Sequence, residues 1–223
     1  MLANTLKIIF TIISGAFLLV LIFCYSVYFY QLRELPADTA PGSHVYPERI
    51  QRQFATANGV SWPLKIERLR PTTIFEKIIG RAIDNKSDFG VSESILSGQA
   101  SRLLVIRKRQ ESMSRDNSIL RRHIFTIWVS RHWDASETIN TLLDESSFGR
   151  AGKGLDNASR FYFDLPPEQL RDDELQTMFA IMRGSSIFDP WCRQERVATF
   201  VKQKSGLTAN FDRLNTANKS QCK

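Results

Sequence analysis

Between Ile8 and Tyr30 the chain carries no charged residue: IIFTIISGAFLLVLIFCYSVYFY. A run of this kind is either a helix that crosses a hydrocarbon core, which takes about 20 residues, or the apolar part of a cleaved signal peptide. The latter is commonly about 7 to 15 residues long and ends in small residues. Here the run is longer and closes on Tyr25, Tyr28 and Tyr30, rings that favour the membrane interface. It reads as an uncleaved anchor. Lys7 precedes it, whereas Arg33 follows together with Glu34 and Asp38, so the slight positive-inside bias leaves the N-terminus inside and the rest outside.

The chain has 223 residues, enough for one domain with a core of its own. Its 30 Lys and Arg outnumber 23 Asp and Glu, and the one charge before Tyr30 is Lys7. The part beyond the anchor is therefore basic, which suits anionic headgroups or phosphate-bearing substrates. No nucleic-acid-binding motif accompanies that charge, so nucleic acid is excluded as a partner. Cys24 lies in the apolar run, and Cys192 and Cys222 either pair in an oxidising compartment or stay free. These cysteines and His44, His123 and His132 show no metal-ligand spacing.

Order along the chain follows from spacing and breakers. Residues 1–7 precede the anchor, 8–30 form it, and 31–46, with Pro36, Pro41 and Gly42, read as a linker. Helical spacing then predicts helices at Glu48–Ala57, Thr73–Ile83, Ser94–Arg109 and Ser118–Trp133. The last of these carries Leu120, Ile124, Ile127 and Trp128 on one stripe and is expected at the centre of the core. Asp134 with Glu137 forms a capping box that opens a helix to about Asp144. Further helices are expected from Leu155, from Asp172 or Asp173 to Gly184, and from Asp189-Pro190, as cap and first residue, to about Lys204. The domain takes in 47–204, and the polar tail 205–223 is expected to be disordered. No alternating strand pattern occurs. The fold class is all-α.

One stretch carries more than packing: Phe148 to Phe163, FGRAGKGLDNASRFYF. Glycines 149, 152 and 154 allow positive φ and close backbone approach, Arg150 and Lys153 sit among them, and an aromatic-rich helix follows. Together with its flanks the stretch resembles the family 51 glycosyltransferases, the peptidoglycan transglycosylases. The family's Leu-Tyr-Leu-Asn signature resembles Ile139 to Asp144. Its Phe-Gly, glycine-rich turn, Gly-Val-Glu-Ala-Ala-Ala and Tyr-Phe resemble Phe148-Gly149, Gly154 to Ser159 and Tyr162-Phe163. Its Leu…Glu-Ala-Ala-Leu-Leu-Ala helix resembles Leu170 with Glu174 to Met182, and its proline-ended exit resembles Ser185 to Pro190.

The resemblance implies a lysozyme-like helical domain behind one N-terminal transmembrane helix, in a bacterial inner membrane, with the domain on the periplasmic side. It implies glycan-strand polymerisation from lipid II, a polyprenyl-pyrophosphate disaccharide-peptide, and company with cell-wall synthesis proteins. That chemistry needs a carboxylate within hydrogen-bond reach of the acceptor hydroxyl and cationic or metal stabilisation of the leaving pyrophosphate. The resemblance leaves room for a divalent cation in that role, as an alternative to side-chain cations, and assigns no residue here to one. The upstream motifs depart from the family. Its Glu-Asp-x-x-Phe-x-x-His-x-Gly has no clean counterpart: aligned on Phe54 and Gly59 it puts Ile50 and Gln51 at the acidic pair, and counted back from Phe148 it lands near Glu67, in Ile66 to Leu69, without the Asp, Phe and His. Its Gly-Gly-Ser-Thr-Ile-Thr-Gln-Gln-x-Ala-Lys-Asn is matched in type by Ser94, Ile95 and Ala100 in Val91 to Arg102, and Arg122 stands where the carboxylate of Arg-Lys-x-x-Glu belongs.

Three functions follow. The first is a divergent transglycosylase with Glu67 as base, Arg102, Arg121 or Arg122 taking over phosphate contacts, and Arg150 and Lys153 as further substrate-binding residues. The second keeps the fold without catalysis and binds lipid II or scaffolds the cell-wall machinery. The third is a helical membrane-anchored interaction protein unrelated to glycan chemistry.

Overall fold

A computed structural model describes residues 2–73, 92–112 and 119–218; the expected helix Thr73–Ile83 lies outside these, apart from Thr73. Among the described residues there are eight α-helices and no strand: α1 Leu2–Leu32, α2 Glu48–Ala57, α3 Ser92–Ser112, α4 Ile119–His132, α5 Ala135–Glu145, α6 Leu155–Phe163, α7 Asp172–Arg183 and α8 Gln194–Ser205. α1 contains the one stretch among them long and apolar enough to cross a membrane, Lys7–Leu32.

α4 lies inside the domain, as its apolar stripe predicts: Ile124, Phe125, Ile127 and Val129 are buried against Leu96, Ala100 and Leu104 of α3. α5 begins at the expected capping box. The Asp134 carboxylate accepts from the Glu137 N–H at 2.7 Å, and the Glu137 carboxylate accepts from the Asp134 N–H at 2.7 Å, a reciprocal cap of helix-end donors. α2 packs across α7, where Phe54 meets Phe179 edge to face at 5.3 Å. Arg49 ties the same pair by donating to Asp172 and to the carbonyls of Glu168 and Leu170.

Two segments differ from the sequence reading. The last helix starts at Gln194, not at Asp189-Pro190. The Asp189 carboxylate instead accepts from the N–H groups of Trp191 and Cys192, closing a turn with the side chain that was expected to cap the helix. The tail from Ser205 is pinned as far as the described residues run. Leu214 is buried, Asn215 donates its N–H to the Tyr162 carbonyl at 2.7 Å, and Asn218 donates to the Phe161 carbonyl at 2.7 Å. Its anchor is Glu174, fully buried at the start of α7, whose carboxylate faces Arg171 at 3.1 Å and Arg213 of the tail at 3.5 Å. A buried carboxylate needs such partners; the polar residues of this tail answer that need.

The segment after α1 is fastened too. Gly42 donates its N–H to the Thr141 hydroxyl, Tyr46 donates its N–H to Asn140 and its hydroxyl to Asp144, and the Trp133 indole donates to the Thr39 carbonyl. Burial pushes the Tyr46 hydroxyl far above its usual range, with the Asp144 charge adding to it.

Gly149 and Gly152 separate two costs. Both have positive φ, +68° and +83°, but a Cβ at Gly149 would stand 2.4 Å from the Ser185 Cβ, whereas one at Gly152 meets nothing within 4 Å. Gly152→Ala should destabilise the detergent-solubilised full chain by about 1–3 kcal/mol from backbone strain alone, since its φ of 83° with ψ of −141° is a conformation that glycine alone adopts readily. Gly149→Ala should cost about 2–4 kcal/mol, strain plus overpacking. Denaturant midpoints followed by circular dichroism would measure both, and a Gly149→Ala loss below about 1 kcal/mol would contradict the close approach to Ser185.

Candidate active-site cleft

The glycine stretch folds into a short loop between α5 and α6. Ser147 and Lys153 form an isolated antiparallel bridge; Phe148 donates its N–H to the Gly152 carbonyl at 2.7 Å, and Gly154 donates to the Ser146 carbonyl at 3.1 Å. The loop is closed from below by the Tyr162 hydroxyl, which donates to the Phe148 carbonyl at 3.0 Å. Burial, then the Asp189 charge, pushes that hydroxyl up to about 12. The two loop cations part company. Arg150 donates to Asp189 at 2.9 Å and lies 5.7 Å over the Trp191 ring, so it clamps the loop to the turn after α7. Lys153 is exposed and faces a cleft.

That cleft, of about 370 Å³, lies where the ends of α2, α5 and α7 meet the middle of α3 and one side of α8. α3 gives it Gln99, Arg102, Leu103, Ile106, Arg107 and Gln110, positions three and four apart and so on one helix face. Phe179, Met182 and Phe200 form an apolar wall, and Asn58, Ser146 and Ser147 add polar groups. Three cations line it without an ion pair among the described residues: Arg102, Lys153 and Arg183, the last lying 6.0 Å over the Phe200 ring. Among the described residues one lining carboxylate occurs, Glu145, and it is bound to Arg107 through both of its oxygens. Burial works against the Arg107 charge, but the Glu145 hydrogen bond and charge outweigh it and hold the guanidinium above its ordinary range. The arrangement can hold a phosphate-bearing ligand between fixed cations while an apolar wall takes a hydrocarbon or sugar face.

Of the six residues singled out from sequence, Arg102 and Lys153 come together in the cleft. Arg150 is given to Asp189. Arg121 is buried on α4 and pairs with Glu34 at 3.5 Å, beside the end of α1. Arg122 is half-buried on α4 and does not line the cleft. Glu67 is exposed on the irregular segment 64–70, outside the cleft; its neighbours Ile66 and Arg68 line a different hollow at the end of α4. Sequence reasoning missed Arg107, Glu145 and Arg183. Glu145 left a signal: an acid in the last turn of a helix opposes the macrodipole unless a cation answers it. Arg183 left none, because a base in a last turn is what the dipole alone would favour.

The cleft does not suit the divalent cation for which the resemblance leaves room. Among the described residues no three His, Cys, Asp or Glu side chains gather, and the one carboxylate in the cleft is already neutralised by Arg107.

A family model described as Transglycosylase matches residues 69–208, which takes in α3 to α8 and all of the cleft except its α2 edge. A search of curated proteins finds no match. The match overturns the third expectation, that the chain is unrelated to glycan chemistry.

Breaking the Arg107–Glu145 pair isolates the mechanics of the cleft wall. Glu145→Gln leaves a guanidinium only 15% exposed with the exposed Asp38 carboxylate, 3.8 Å away, as its remaining charge partner, a change that should cost the full chain about 1–3 kcal/mol. A double variant, Glu145→Gln with Arg107→Gln, should recover part of that loss. Thermal unfolding of the three proteins would check it; a double variant less stable than the sum of both single changes would refute the pairing.

Proposed function

The chain belongs to the peptidoglycan transglycosylase family, and on that premise we propose that it binds a polyprenyl-pyrophosphate disaccharide of the lipid II class in the cleft without polymerising it. The observation that carries this reading is the convergence of Arg102, Lys153 and Arg183 on a cleft whose one described carboxylate is held by Arg107. Pyrophosphate suits three cations free of ion pairs among the described residues. A general base must take a proton from the acceptor hydroxyl within hydrogen-bond reach, and Glu145, with both oxygens on the Arg107 guanidinium, is a carboxylate whose charge is already matched by that pairing.

In this reading α1 anchors the chain once in a bacterial inner membrane, and the domain works on the periplasmic side beside cell-wall synthesis proteins. Support for that side comes from Cys192, which is disulfide-bonded, a state that persists in oxidising compartments; Cys222 lies outside the described residues. A second reading, strand polymerisation with Glu67 as base, is favoured by the family match across the cleft helices. It requires Glu67 to reach a substrate bound there, and Glu67 stands on another face.

The two readings part in one experiment. Detergent-solubilised full chain should bind lipid II, and Arg102→Ala with Lys153→Ala should weaken that binding about tenfold or more, the loss expected for charge-assisted contacts. Glu67→Gln should leave affinity unchanged, and no glycan strands should form. Strand formation abolished by Glu67→Gln would replace this reading with the second; absence of binding would remove both.

A further inference from the structure

The domain leaves too little of α1 free for α1 to cross a bilayer clear of it. From Ile8 to Leu19 every side chain is exposed, whereas further on one stripe is covered: Leu21, Cys24, Tyr28, Leu32 and Leu35, at helical intervals. The free part covers about 18 Å at about 1.5 Å per residue, against a hydrocarbon core about 30 Å thick. Counted from Ile8, the core therefore ends near Val27 or Tyr28, and the headgroup layer lies level with the covered stripe beyond.

What the domain holds at that level follows from the run of α4. Arg121, in its first turn, pairs with Glu34 at 3.5 Å. α4 packs against α1, where Tyr28 joins the core cluster that contains Ile124, Ile127 and Val129 of α4, and ten residues past Arg121 the Arg131 charge acts on the Tyr28 hydroxyl. α4 thus runs back along α1, toward the membrane, and its C-terminal end is the foot of the domain. The segment 64–70 joins it there, with Leu69 donating its N–H to the Ser130 hydroxyl at 3.1 Å. Between them is a hollow of about 540 Å³ whose lining includes Arg68, Arg131, His132 and Trp133. Arg68 and Arg131 are exposed and have no ion pair among the described residues. The His132 ring stacks on Trp128 at 4.3 Å with 11° between the planes. Two carboxylates, Asp134 and Glu137, also line the hollow, but each is turned onto the other's backbone N–H in the α5 cap.

We propose that this hollow at the foot of α4 binds the headgroup phosphate of an anionic phospholipid, with Arg68 and Arg131 as its cations. It is a site separate from the cleft, since no residue lines both. The inference rests on α1 spanning the membrane and not on what the cleft binds. Paired cations at headgroup depth attract anionic lipid, and an aromatic ring stacked beside them suits that layer. The phosphate is that of a bilayer lipid, because the hollow opens at the depth where headgroups lie.

The test reads which lipid lies against the foot. Full chain is reconstituted in phosphatidylcholine bilayers containing a minority of phosphatidylglycerol, and the bromines are placed on one lipid or the other at equal mole fraction. Bromines on phosphatidylglycerol should quench the tryptophan fluorescence about twice as strongly as bromines on phosphatidylcholine. That ratio should fall to about one in Arg68→Gln with Arg131→Gln, and should persist in Arg131→Lys, which keeps the charge. Equal quenching in the unaltered protein would overturn the proposal, whatever the variants do. An unchanged ratio in a double variant of normal helix content would overturn it as well. Lipid II binding, measured in parallel, should be the same in all of these proteins, so a failure of the cleft reading would be seen separately.

Discussion

Arg107 donates to the Asp38 and Ala40 carbonyls and to both oxygens of Glu145. Those partners belong to the chain leaving the membrane and to the last turn of α5, while Arg107 itself is on α3. One guanidinium thus fixes the exit from α1 against the wall of the cleft. Arginine suits the task because its donors form a rigid fork, its charge survives burial, and two carbonyls plus a carboxylate can be satisfied at once. The cleft wall, the loop that carries Lys153 and the height of the domain over the bilayer are consequently coupled through a side chain that itself has no need to touch a ligand.

The same economy recurs at the other end of the domain. α7 begins with Asp172, Asp173 and Glu174, acids that its N-terminal dipole favours, and each is answered from a different part of the chain. Arg49 of α2 takes Asp172, the Asn210 N–H takes Asp173, and Arg171 with Arg213 takes Glu174. α7 is thereby held by α2 on one side and by the C-terminal segment on the other. With its acidic end committed to structure, α7 presents Phe179, Met182 and Arg183 to the cleft. Attraction for an anionic ligand is then left to the cations alone.

Helix positions were legible in the sequence wherever a periodic apolar stripe met a local stop signal. α2, α4, α5 and α7 fall within a residue or two of the expected limits, and the Asp134 capping box is present as read. What escaped was set by partners distant in sequence. Asp189-Pro190 has the local form of a helix start, but the Asp189 carboxylate serves a turn and the Arg150 ion pair. The tail after Ser205 has the composition of a disordered segment, yet Arg213 answers a buried carboxylate 39 positions earlier, at Glu174. Arg102 and Lys153, to which the comparison with family motifs points, both line the cleft. Arg107 and Glu145 were not singled out, because neither residue's meaning is visible until α3 and α5 are packed together.

Height above the membrane joins the cleft to the foot. The Lys108 ammonium reaches the Leu35 carbonyl at 3.5 Å, and its neighbour Arg107, a cleft-lining residue, bonds Asp38 and Ala40. The end of α3 is therefore held beside the residues that directly follow α1. A ligand whose pyrophosphate sits among Arg102, Lys153 and Arg183 would have its polyprenyl chain leave past Ile106, which is exposed on the same helix face, toward the level where the headgroups begin. Such a ligand needs both ends accommodated at once: a cationic pocket for the diphosphate and an adjacent bilayer for the chain. A domain free to tumble on a flexible linker would lose that registry, whereas one fastened by Arg107, Arg121 and the covered stripe of α1 keeps it. Under the proposed function, rigid attachment to α1 would keep a lipid-linked sugar in register, and the partly buried ion pairs of Arg107 with Glu145 and of Arg121 with Glu34 are the contacts that hold it.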